Sequence, residues 1–276
     1  YTPHFLSTVY TLWLALYRAY CTQPDYDIIV LEYGSDHPGE MQDMLDIVIP
    51  DIAVWTWLDY VHISQFDGIQ QIASEKAKLV LSAKKMAFVA CDHPLCESYI
   101  DDIDVDLVRF AIDSKKSDIQ IAIQDVMFQD RIYQTSLCAR YADTSYSIQS
   151  NLILKHDLIY ASLACVMSDV LAYHHHIHVE QTDLNVICDQ QWGRFTWLQG
   201  IHDSILVDST YNASPESMKT IIQQTLNFAQ EYLPHYRKIC VLWQMNELGS
   251  QTQAIHTSLV DTWLPKADYI ILYGEH

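Results

Sequence analysis

Glycine, positive charge and long apolar runs are all scarce in this chain, and each shortage argues against a class of protein. Glycine accounts for 7 of the 276 residues, about a third of its usual ~7% share, whereas proteins that cradle phosphates on glycine-rich loops normally carry more. The 16 Lys and Arg face 35 Asp and Glu, and the net charge of −19 disfavours a nucleic-acid partner because like charges repel. No apolar run approaches the ~20 residues that a membrane helix needs, so no membrane insertion is expected.

The cysteines show no spacing typical of a metal site or of a disulfide framework. They are odd in number and contain no CxxC pair: Cys21, Cys91, Cys96, Cys138, Cys165, Cys188 and Cys240. In a chain of this size the pattern indicates reduced thiols, and no basic-then-apolar signal segment is seen at the start. We therefore expect a cytoplasmic protein. Because the chain begins at Tyr1 and stops directly after a strand-like run, we also expect it to be a piece of a longer one.

Short apolar runs alternate with segments of helical period through the first part of the chain. The runs are Ile28–Leu31, Ile52–Trp55 and Ala87–Ala90, and their alternation with helices predicts an α/β fold with a mostly parallel central sheet covered on both faces. Between about 117 and 151 the period changes to two, which predicts an antiparallel excursion. A long helix is expected over about 157–173, and a shorter one after His178.

A second α/β series begins near residue 203. It contains a helix start at Ser214-Pro215-Glu216, with an N-cap serine and a proline at the first helical position. The other elements expected are strands at Ile205–Val207, Ile239–Leu242 and Tyr269–Leu272 and a helix around Thr252–Trp263. Three strands and two helices make half of a doubly wound domain. We therefore predict a nearly complete domain over residues 1–200 and a truncated Rossmann-like domain over 201–276.

Three side chains are candidates for a hard-cation site in the first domain. Glu32 ends the first apolar run and His62 follows the second, and open α/β sheets bind ligands at the carboxyl ends of their strands. Lys76 falls within the apolar stripe of the helix that follows Gly68, where a bare ammonium is costly. Each has a structural alternative: a capping acid, a core histidine, and a lysine whose amine reaches solvent along its stem. The functional interpretation of Lys76 is an amine of depressed pKa that is open to modification.

Two further clusters contain metal-binding residue types but are interpreted as structural. His174–His178 falls at a predicted helix end, where histidines interact with the helix dipole. Cys91–Cys96 offers three soft ligands, but no second cluster completes a tetrahedron.

Several blocks of sequence follow one another as they do in a known enzyme family. They are Leu31–Glu40, His62–Phe66, Glu75–Leu79, Trp192–Arg194, Asp208–Met218 and Met245–Gly249. In this order the blocks resemble the Mur ligases, the ATP-dependent amide ligases of peptidoglycan precursor synthesis. The last two blocks are most similar to the MurF type, which joins D-alanyl-D-alanine to UDP-N-acetylmuramoyl-tripeptide. The resemblance extends from about Ile28 to His256, and it identifies the first domain as the family's central ATPase domain.

The resemblance implies ATP and Mg²⁺ as cofactors and assigns a metal site. Glu32, His62 and Lys76 would hold the magnesium ion near the γ-phosphate, and Lys76 matches a lysine that the family carbamylates. Carbamylation turns an ammonium into a carboxylate-like ligand. The reaction implied is acyl activation: ATP phosphorylates the tripeptide carboxylate, and the amine of D-alanyl-D-alanine attacks the acyl phosphate.

Three more residues acquire roles through the same resemblance. Arg194 matches an arginine at the domain hinge that contacts ATP phosphate, so that Lys76 and Arg194 are the implied catalytic residues. Asp208 lies in the block that meets the nucleotide ribose. His156 resembles the histidine that opens the helix beside the adenine. A monomer is expected.

The chain departs from the family pattern at several positions. No Gly-Lys pair occurs, so the family's glycine-rich phosphate loop is expected upstream of Tyr1. Ser209 stands where a second acid is usual, Tyr160 replaces a usual asparagine, and Trp243-Gln244 replaces a common Gly-Asp. Two alternatives therefore stay open: a non-catalytic Mur-ligase-like binding module or degenerate fragment, and a related ligase of the folylpolyglutamate-synthase kind. The block that ends at Met218 argues against the latter.

Overall fold

The chain divides into two units, residues 1–34 and 35–276. The computed structural model describes residues 28–58, 65–111, 116–129, 132–152, 154–174, 183–187, 192–211, 213–246, 248–249, 252–263 and 266–274. The part of the first unit that is described, residues 28–34, contains neither helix nor strand.

The prediction of a buried strand at Ile28–Leu31 is wrong. These four side chains are between 52% and 91% exposed, and the segment joins no strand in the described part of the chain. An apolar run becomes a strand only where a neighbouring strand pairs with its N–H and C=O groups. The apolar sequence alone therefore does not create a strand here.

A seven-stranded sheet forms the centre of the second unit. Its order follows the sequence: β1 (Ile52–Trp55), β2 (Met86–Ala90), β3 (Asp106–Phe110), β4 (Ile119–Gln129), β5 (Ile132–Tyr141), β6 (Thr144–Ser150) and β7 (Asp183–Val186). β1 to β4 are parallel, β4 to β6 are antiparallel, and β7 is parallel to β6. The predicted mostly parallel sheet with an antiparallel excursion is confirmed.

Helices cover both faces of this sheet. The helices along this part of the chain are α1 (Glu40–Ile47), α2 (Ile69–Leu81), α3 (Pro94–Glu97) and α4 (Lys155–His174). α2 packs its buried residues, among them Ile72 and Val80, against Val89 of β2. α4 packs against the opposite face, where Leu158 and Val166 join the core around Phe88. All five residues of β2 are buried, as expected for a strand between two helical layers.

The end of the sheet is formed by a strand, and the structure does not test the short helix predicted after His178. Residues 178–182 lie outside the described residues, and the next described segment is β7. Its Leu184 and Val186 pack against the core that α4 covers, and the Ser150 hydroxyl donates to the Val186 carbonyl at 2.8 Å. Residues 183–186 therefore form a strand, because they pair with the backbone groups of β6 that β5 leaves unpaired.

The remaining part of the chain contains two small sheets. β8 (Thr196–Gln199) and β9 (Ile205–Asp208) form an antiparallel pair, while β10 (Ile239–Trp243) and β11 (Tyr269–Tyr273) form a parallel pair. α5 (Pro215–Tyr232) and α6 (Thr252–Trp263) pack around a core that includes Leu226 and Met245. All the elements predicted after residue 203 are present, although β9 pairs with β8 instead of with a parallel neighbour.

The predicted start of α5 is confirmed in detail. The Ser214 hydroxyl accepts from the Ser217 N–H at 3.4 Å, and the Ser217 hydroxyl accepts from the Ser214 N–H at 3.0 Å. This reciprocal capping satisfies two backbone donors that a helix start otherwise leaves unpaired.

Two expectations from the sequence concern the cysteines, predicted to be reduced, and the absence of a long apolar helix. The cysteines in the described part of the chain are free: Cys91, Cys96, Cys138, Cys165 and Cys240. Among the described residues, no helix combines the length and the apolarity that crossing a bilayer requires.

The double-sided core generates a matched stability test. Ile148 is fully buried in β6, whereas Ile123 of β4 is 45% exposed. Ile148→Ala is expected to lower the free energy of unfolding by about 2–5 kcal/mol, because it leaves a cavity in the core, and Ile123→Ala by less than about 1 kcal/mol. Urea unfolding followed by circular dichroism measures both. Equal losses for the two variants would contradict the assigned core.

Candidate functional site

Lys76 lies in the middle of α2, beside two carboxylates. Its side chain is half-buried, and burial lowers the pKa of its amine, while the charges of Asp36 and Glu75 act in the opposite direction. The structure therefore supports the prediction that Lys76 occupies the buried side of this helix. A larger fraction of neutral amine is the chemical consequence.

The residue beside it, Glu75, was missed by the sequence reasoning. Glu75 is only 4% exposed. Its Oε1 accepts hydrogen bonds from the N–H groups of Gly39 and Met41, both at 2.9 Å, and Lys78 Nζ donates to its Oε2 at 2.7 Å. Glu75 lies three residues after buried Ile72, so the helical spacing that identified Lys76 also held the signal for Glu75.

Glu75 acts as the N-terminal cap of α1. The residue that precedes α1 is Gly39, which has φ = 101° and no side chain to cap the helix. The carboxylate of Glu75 supplies the missing acceptor from another helix and so ties the first turn of α1 to α2. Burial alone would raise the pKa of Glu75, but the hydrogen bonds from Lys78, Met41 and Gly39 outweigh it and hold the pKa below its ordinary value.

The turn before α1 is held by its own acid. Glu40 Oε2 accepts from the N–H groups of Asp36 at 2.6 Å and His37 at 2.9 Å, and the bond from His37 is the largest reason why the pKa of Glu40 is lowered. Ser35 is buried, and among the described residues its hydroxyl has no hydrogen-bond partner. This turn therefore brings the Asp36 charge and an unsatisfied hydroxyl to the neighbourhood of α1 and α2.

The structure does not test whether the other two predicted metal ligands lie near Lys76. Glu32 is exposed and belongs to the unit of residues 1–34, and His62 lies outside the described residues. The convergence of Glu32, His62 and Lys76 therefore stays a prediction. Within the described ranges, no group of three or more His, Cys, Asp or Glu side chains could hold a metal ion.

His156 opens α4 on the opposite face of the sheet from Lys76. Its Nε2 lies 3.3 Å from Asp157 Oδ1, and burial lowers its pKa against the attraction of that carboxylate. The ring of Tyr160 meets the His156 ring edge-on, with centroids 6.4 Å apart, and the Tyr160 hydroxyl donates to the Thr56 carbonyl at 3.2 Å. A neutral imidazole and an aromatic ring are thus fixed next to the carboxyl end of β1, where open α/β sheets bind ligands.

Arg194 and Asp208 lie on two chain segments that meet at the base of the β8–β9 hairpin. The Arg194 guanidinium carbon lies 3.9 Å from the centroid of the Tyr211 ring. Asp208 Oδ2 accepts from the Gly193 N–H at 3.1 Å, and the Tyr211 N–H donates to the Gly193 carbonyl at 3.0 Å. The two predicted nucleotide-binding residues therefore lie on chain segments that contact each other directly.

The Cys91–Cys96 cluster, which was interpreted as structural, has a structural role. His93 Nδ1 accepts from the Leu95 N–H at 3.2 Å and so caps α3. Burial raises the pKa of Cys91 to about 11 and that of Cys96 to about 12, so both are protonated thiols at neutral pH and not thiolate ligands. Of the histidine cluster, only His174, the last residue of α4, lies within the described residues.

Comparison with known families agrees with this arrangement of elements. The model of the Mur ligase middle domain matches residues 10–168, and that of the Mur ligase, glutamate ligase domain, matches residues 193–276. Both matches confirm the resemblance inferred from the sequence blocks.

Relatives of known activity cover most of this chain. It is 24% identical over 240 residues to the UDP-N-acetylmuramoyl-tripeptide–D-alanyl-D-alanine ligase of Escherichia coli K12, covering 86% of this chain and 50% of the relative. It is 20% identical over 241 residues to the ligase of the same name from Rickettsia prowazekii, covering 86% of this chain and 51% of the relative. The chain thus spans about half the length of the curated relatives it matches.

Solved structures confirm the fold. The MurF ligase from Thermotoga maritima, in complex with ADP, superposes with a TM-score of 0.69 at 22% identity, covering 91% of this chain and 60% of that one. MurF from Acinetobacter baumannii gives a TM-score of 0.67 at 18% identity, covering 88% of this chain and 51% of that one.

The role of Glu75 as a cap generates a stability prediction. Glu75→Ala is expected to lower the free energy of unfolding by about 1–3 kcal/mol, because the N–H groups of Gly39 and Met41 lose their acceptor. Lys78→Ala removes only the partly exposed partner and is expected to cost less than about 1 kcal/mol. Urea unfolding compares the two; a larger loss for the lysine variant would contradict the capping role.

The same carboxylate predicts a pH dependence. The pKa of Glu75 is lowered from 4.5 in the folded protein, so its contribution to stability is present above pH 4.5 and is lost as the pH falls through the folded-state pKa. Wild type is therefore expected to exceed Glu75→Gln in stability at neutral pH, and this difference is expected to shrink in acid. Unfolding titrations at several pH values check this, and a difference that is constant with pH would argue against it.

Proposed function

This chain belongs to the Mur ligase family, and we propose that it is part of a MurF-type ligase that joins D-alanyl-D-alanine to UDP-N-acetylmuramoyl-tripeptide at the expense of ATP. The observation that carries the proposal is the half-buried Lys76 amine beside Asp36 and Glu75. The printed activity of the relatives from Escherichia coli and Rickettsia prowazekii supports it.

The chemistry of Lys76 fits a magnesium site only after modification. An ammonium repels a cation, whereas a neutral amine can attack CO₂, form a carbamate and release a proton. The carbamate oxygens are hard donors of the kind that Mg²⁺ prefers. Asp36 and the Ser35 hydroxyl, which has no hydrogen-bond partner in the described part of the chain, add further oxygen atoms to this neighbourhood. Lys76 would hold the ion together with Glu32 and His62. When bound, magnesium supplies neutralisation of charge on the phosphoryl oxygens.

The chain's own residues would orient the nucleotide. Arg194 presents a planar fork of N–H donors, whose geometry suits phosphate oxygens. We assign to Arg194 the stabilisation of the negative charge that develops when the tripeptide carboxylate attacks the γ-phosphorus and ADP departs. His156, neutral and held against Tyr160, is assigned to the adenine side, and Asp208 to the ribose side.

The domain assignment follows from these roles. We place the central ATP-binding domain in residues 1–200 and part of the C-terminal domain in residues 201–276, so that Arg194 lies close to the boundary. The protein is proposed to act as a cytoplasmic monomer. A non-catalytic binding module is the rival, and the two experiments below separate it from a ligase.

The first experiment tests the modification of Lys76. Incubating residues 1–276 with ¹³C-bicarbonate at mildly alkaline pH is expected to give a carbamate carbon signal from Lys76 beside that of the α-amino group in the NMR spectrum, because burial increases the neutral fraction of the Lys76 amine. Lys76→Ala is expected to remove the Lys76 signal, and Lys78→Ala, two residues away on α2, to retain it. The same carbamate signals in wild type and Lys76→Ala would refute the assignment.

The second experiment tests the reaction. The full-length protein that contains this chain is expected to form the UDP-N-acetylmuramoyl-pentapeptide from both substrates and Mg·ATP, as detected by mass spectrometry, and Lys76→Ala is expected to abolish product even with added bicarbonate.

Residues 1–276 alone, which contain no Gly-Lys pair to grip the β- and γ-phosphates, are expected to release no measurable phosphate. Turnover by residues 1–276 at an ordinary enzymatic rate of ~1–10³ s⁻¹ would show that the loop is dispensable. Full activity of the alanine variant would remove Lys76 from the mechanism.

A further inference from the structure

Arg194 contacts the ring of Tyr211 at the base of the β8–β9 hairpin, where the segments before and after the hairpin meet. We propose that Tyr211 is a positioning residue, whose ring holds the Arg194 guanidinium in place for contact with nucleotide phosphate. The inference deepens the proposed function and rests on it, since Arg194 matters to phosphate only if the chain binds ATP.

The hairpin brings the two segments together. The Gly193–Arg194 turn lies just before β8, and the Thr210–Tyr211 segment lies just after β9. Thr196 is the register partner of Asp208, so the start of β8 and the end of β9 lie side by side. The segments on either side of the hairpin must therefore meet at its base.

Backbone contacts fix Tyr211 against the turn. The Tyr211 N–H donates to the Gly193 carbonyl at 3.0 Å. Gly193 has φ = 77°, and a Cβ atom at this position would lie 2.8 Å from the Tyr211 nitrogen. Only glycine permits this conformation and this approach without displacement. The position of the tyrosine is thus set by the main chain and does not depend on the stacking contact alone.

Asp208 also holds the two segments together, through hydrogen bonds to Thr210 and Gly193. Its Oδ1 accepts from the Thr210 N–H at 3.1 Å and from the Thr210 hydroxyl at 2.8 Å, while its Oδ2 accepts from the Gly193 N–H at 3.1 Å. Since an ionised carboxylate has about four acceptor positions, three of them are used to hold the two segments together. This anchoring explains how an exposed loop keeps a defined geometry.

The contact between Arg194 and Tyr211 leaves the arginine able to bind. The guanidinium carbon lies over the face of the Tyr211 ring, 3.9 Å from the ring centroid. A guanidinium carries five N–H donors, more than one aromatic ring can cover. A cation held over the ring can therefore still offer donors to phosphate. The ring and not the hydroxyl makes the contact, which predicts that phenylalanine substitutes for Tyr211 and leucine does not.

Phosphate-dependent binding is the readout that separates positioning from general stability. Mg·ATP and, separately, adenosine are titrated into the full-length protein that contains this chain and followed by ligand-observed NMR, which measures weak binding. Tyr211→Leu is expected to raise the Kd for Mg·ATP about two- to five-fold, the range typical of an exposed cation–π contact, and to leave the Kd for adenosine unchanged. Tyr211→Phe is expected to match wild type for both ligands. Tyr236→Leu, another partly exposed tyrosine of the same region, is the matched control and is expected to change neither.

A double variant makes the test specific for Arg194. In an Arg194→Ala background, Tyr211→Leu is expected to have no further effect on Mg·ATP binding, because the group it positions is gone. Equal Mg·ATP affinity of wild type and Tyr211→Leu, or equal weakening of both ligands, would overturn the inference while leaving the proposed function intact. Failure of wild type to bind Mg·ATP at all would instead overturn the proposed function, and the inference with it.

Discussion

Complete burial of β2 between two helical layers is the constraint from which the rest of the central domain follows. Phe88 faces the core under α4 and Val89 faces the core under α2, so neither helix can move without opening an apolar surface to water. Because α2 and α4 lie on opposite faces, Lys76 and His156 are also on opposite faces. Groups on the two faces can then act together only at one end of the strands. The hydrogen bond from Tyr160 to Thr56, which directly follows β1, indicates the carboxyl end.

Side chains also satisfy the backbone N–H groups at the starts of three helices, and one of these side chains comes from a distant part of the chain. The first turn of α1 receives its cap from Glu75 of another helix, while α3 and α5 are capped by His93 and Ser214. The cap from Glu75 has the greatest consequence. It fixes the start of α1, next to the turn that carries Asp36, and it does so one residue away from Lys76. Structural and chemical roles are therefore adjacent on one helix, and the hydrogen bonds from Gly39, Met41 and Lys78 occupy most of the acceptor positions of the Glu75 carboxylate.

The departures from the family pattern acquire physical meaning in the structure. Tyr160, which stands where an asparagine is usual, forms a hydrogen bond to the end of β1 and an edge contact with His156. Ser209 replaces a second acid next to Asp208, and Asp208 itself is largely occupied with Thr210 and Gly193. Acceptor capacity for a ribose hydroxyl is consequently small at this position. If the hairpin binds nucleotide as proposed, we expect Arg194 and its contact with Tyr211 to contribute more than Asp208.

The sequence by itself determined the elements with strong local signals and the residues that fall within recognisable blocks. The start of α5, the bounds of α6 and the period-two segment of β4 were all predictable, since capping and side-chain periodicity involve neighbours in the chain. Lys76, His156, Arg194 and Asp208 were identified by the family resemblance. Helical spacing alone marked Lys76 as buried.

Only the tertiary structure decided which groups become partners. Ile28–Leu31 has the composition of a strand but stays exposed, and β9 pairs with β8 instead of with a parallel neighbour. Glu75 accepts hydrogen bonds from Gly39 and Met41, which precede it by 36 and 34 positions. Tyr211, which follows the hairpin, contacts Arg194, which precedes it. The physical reason is the same in each case. Apolar patterning specifies that a surface will be buried, but the identity of the surface or donor it meets depends on chain segments far apart in sequence.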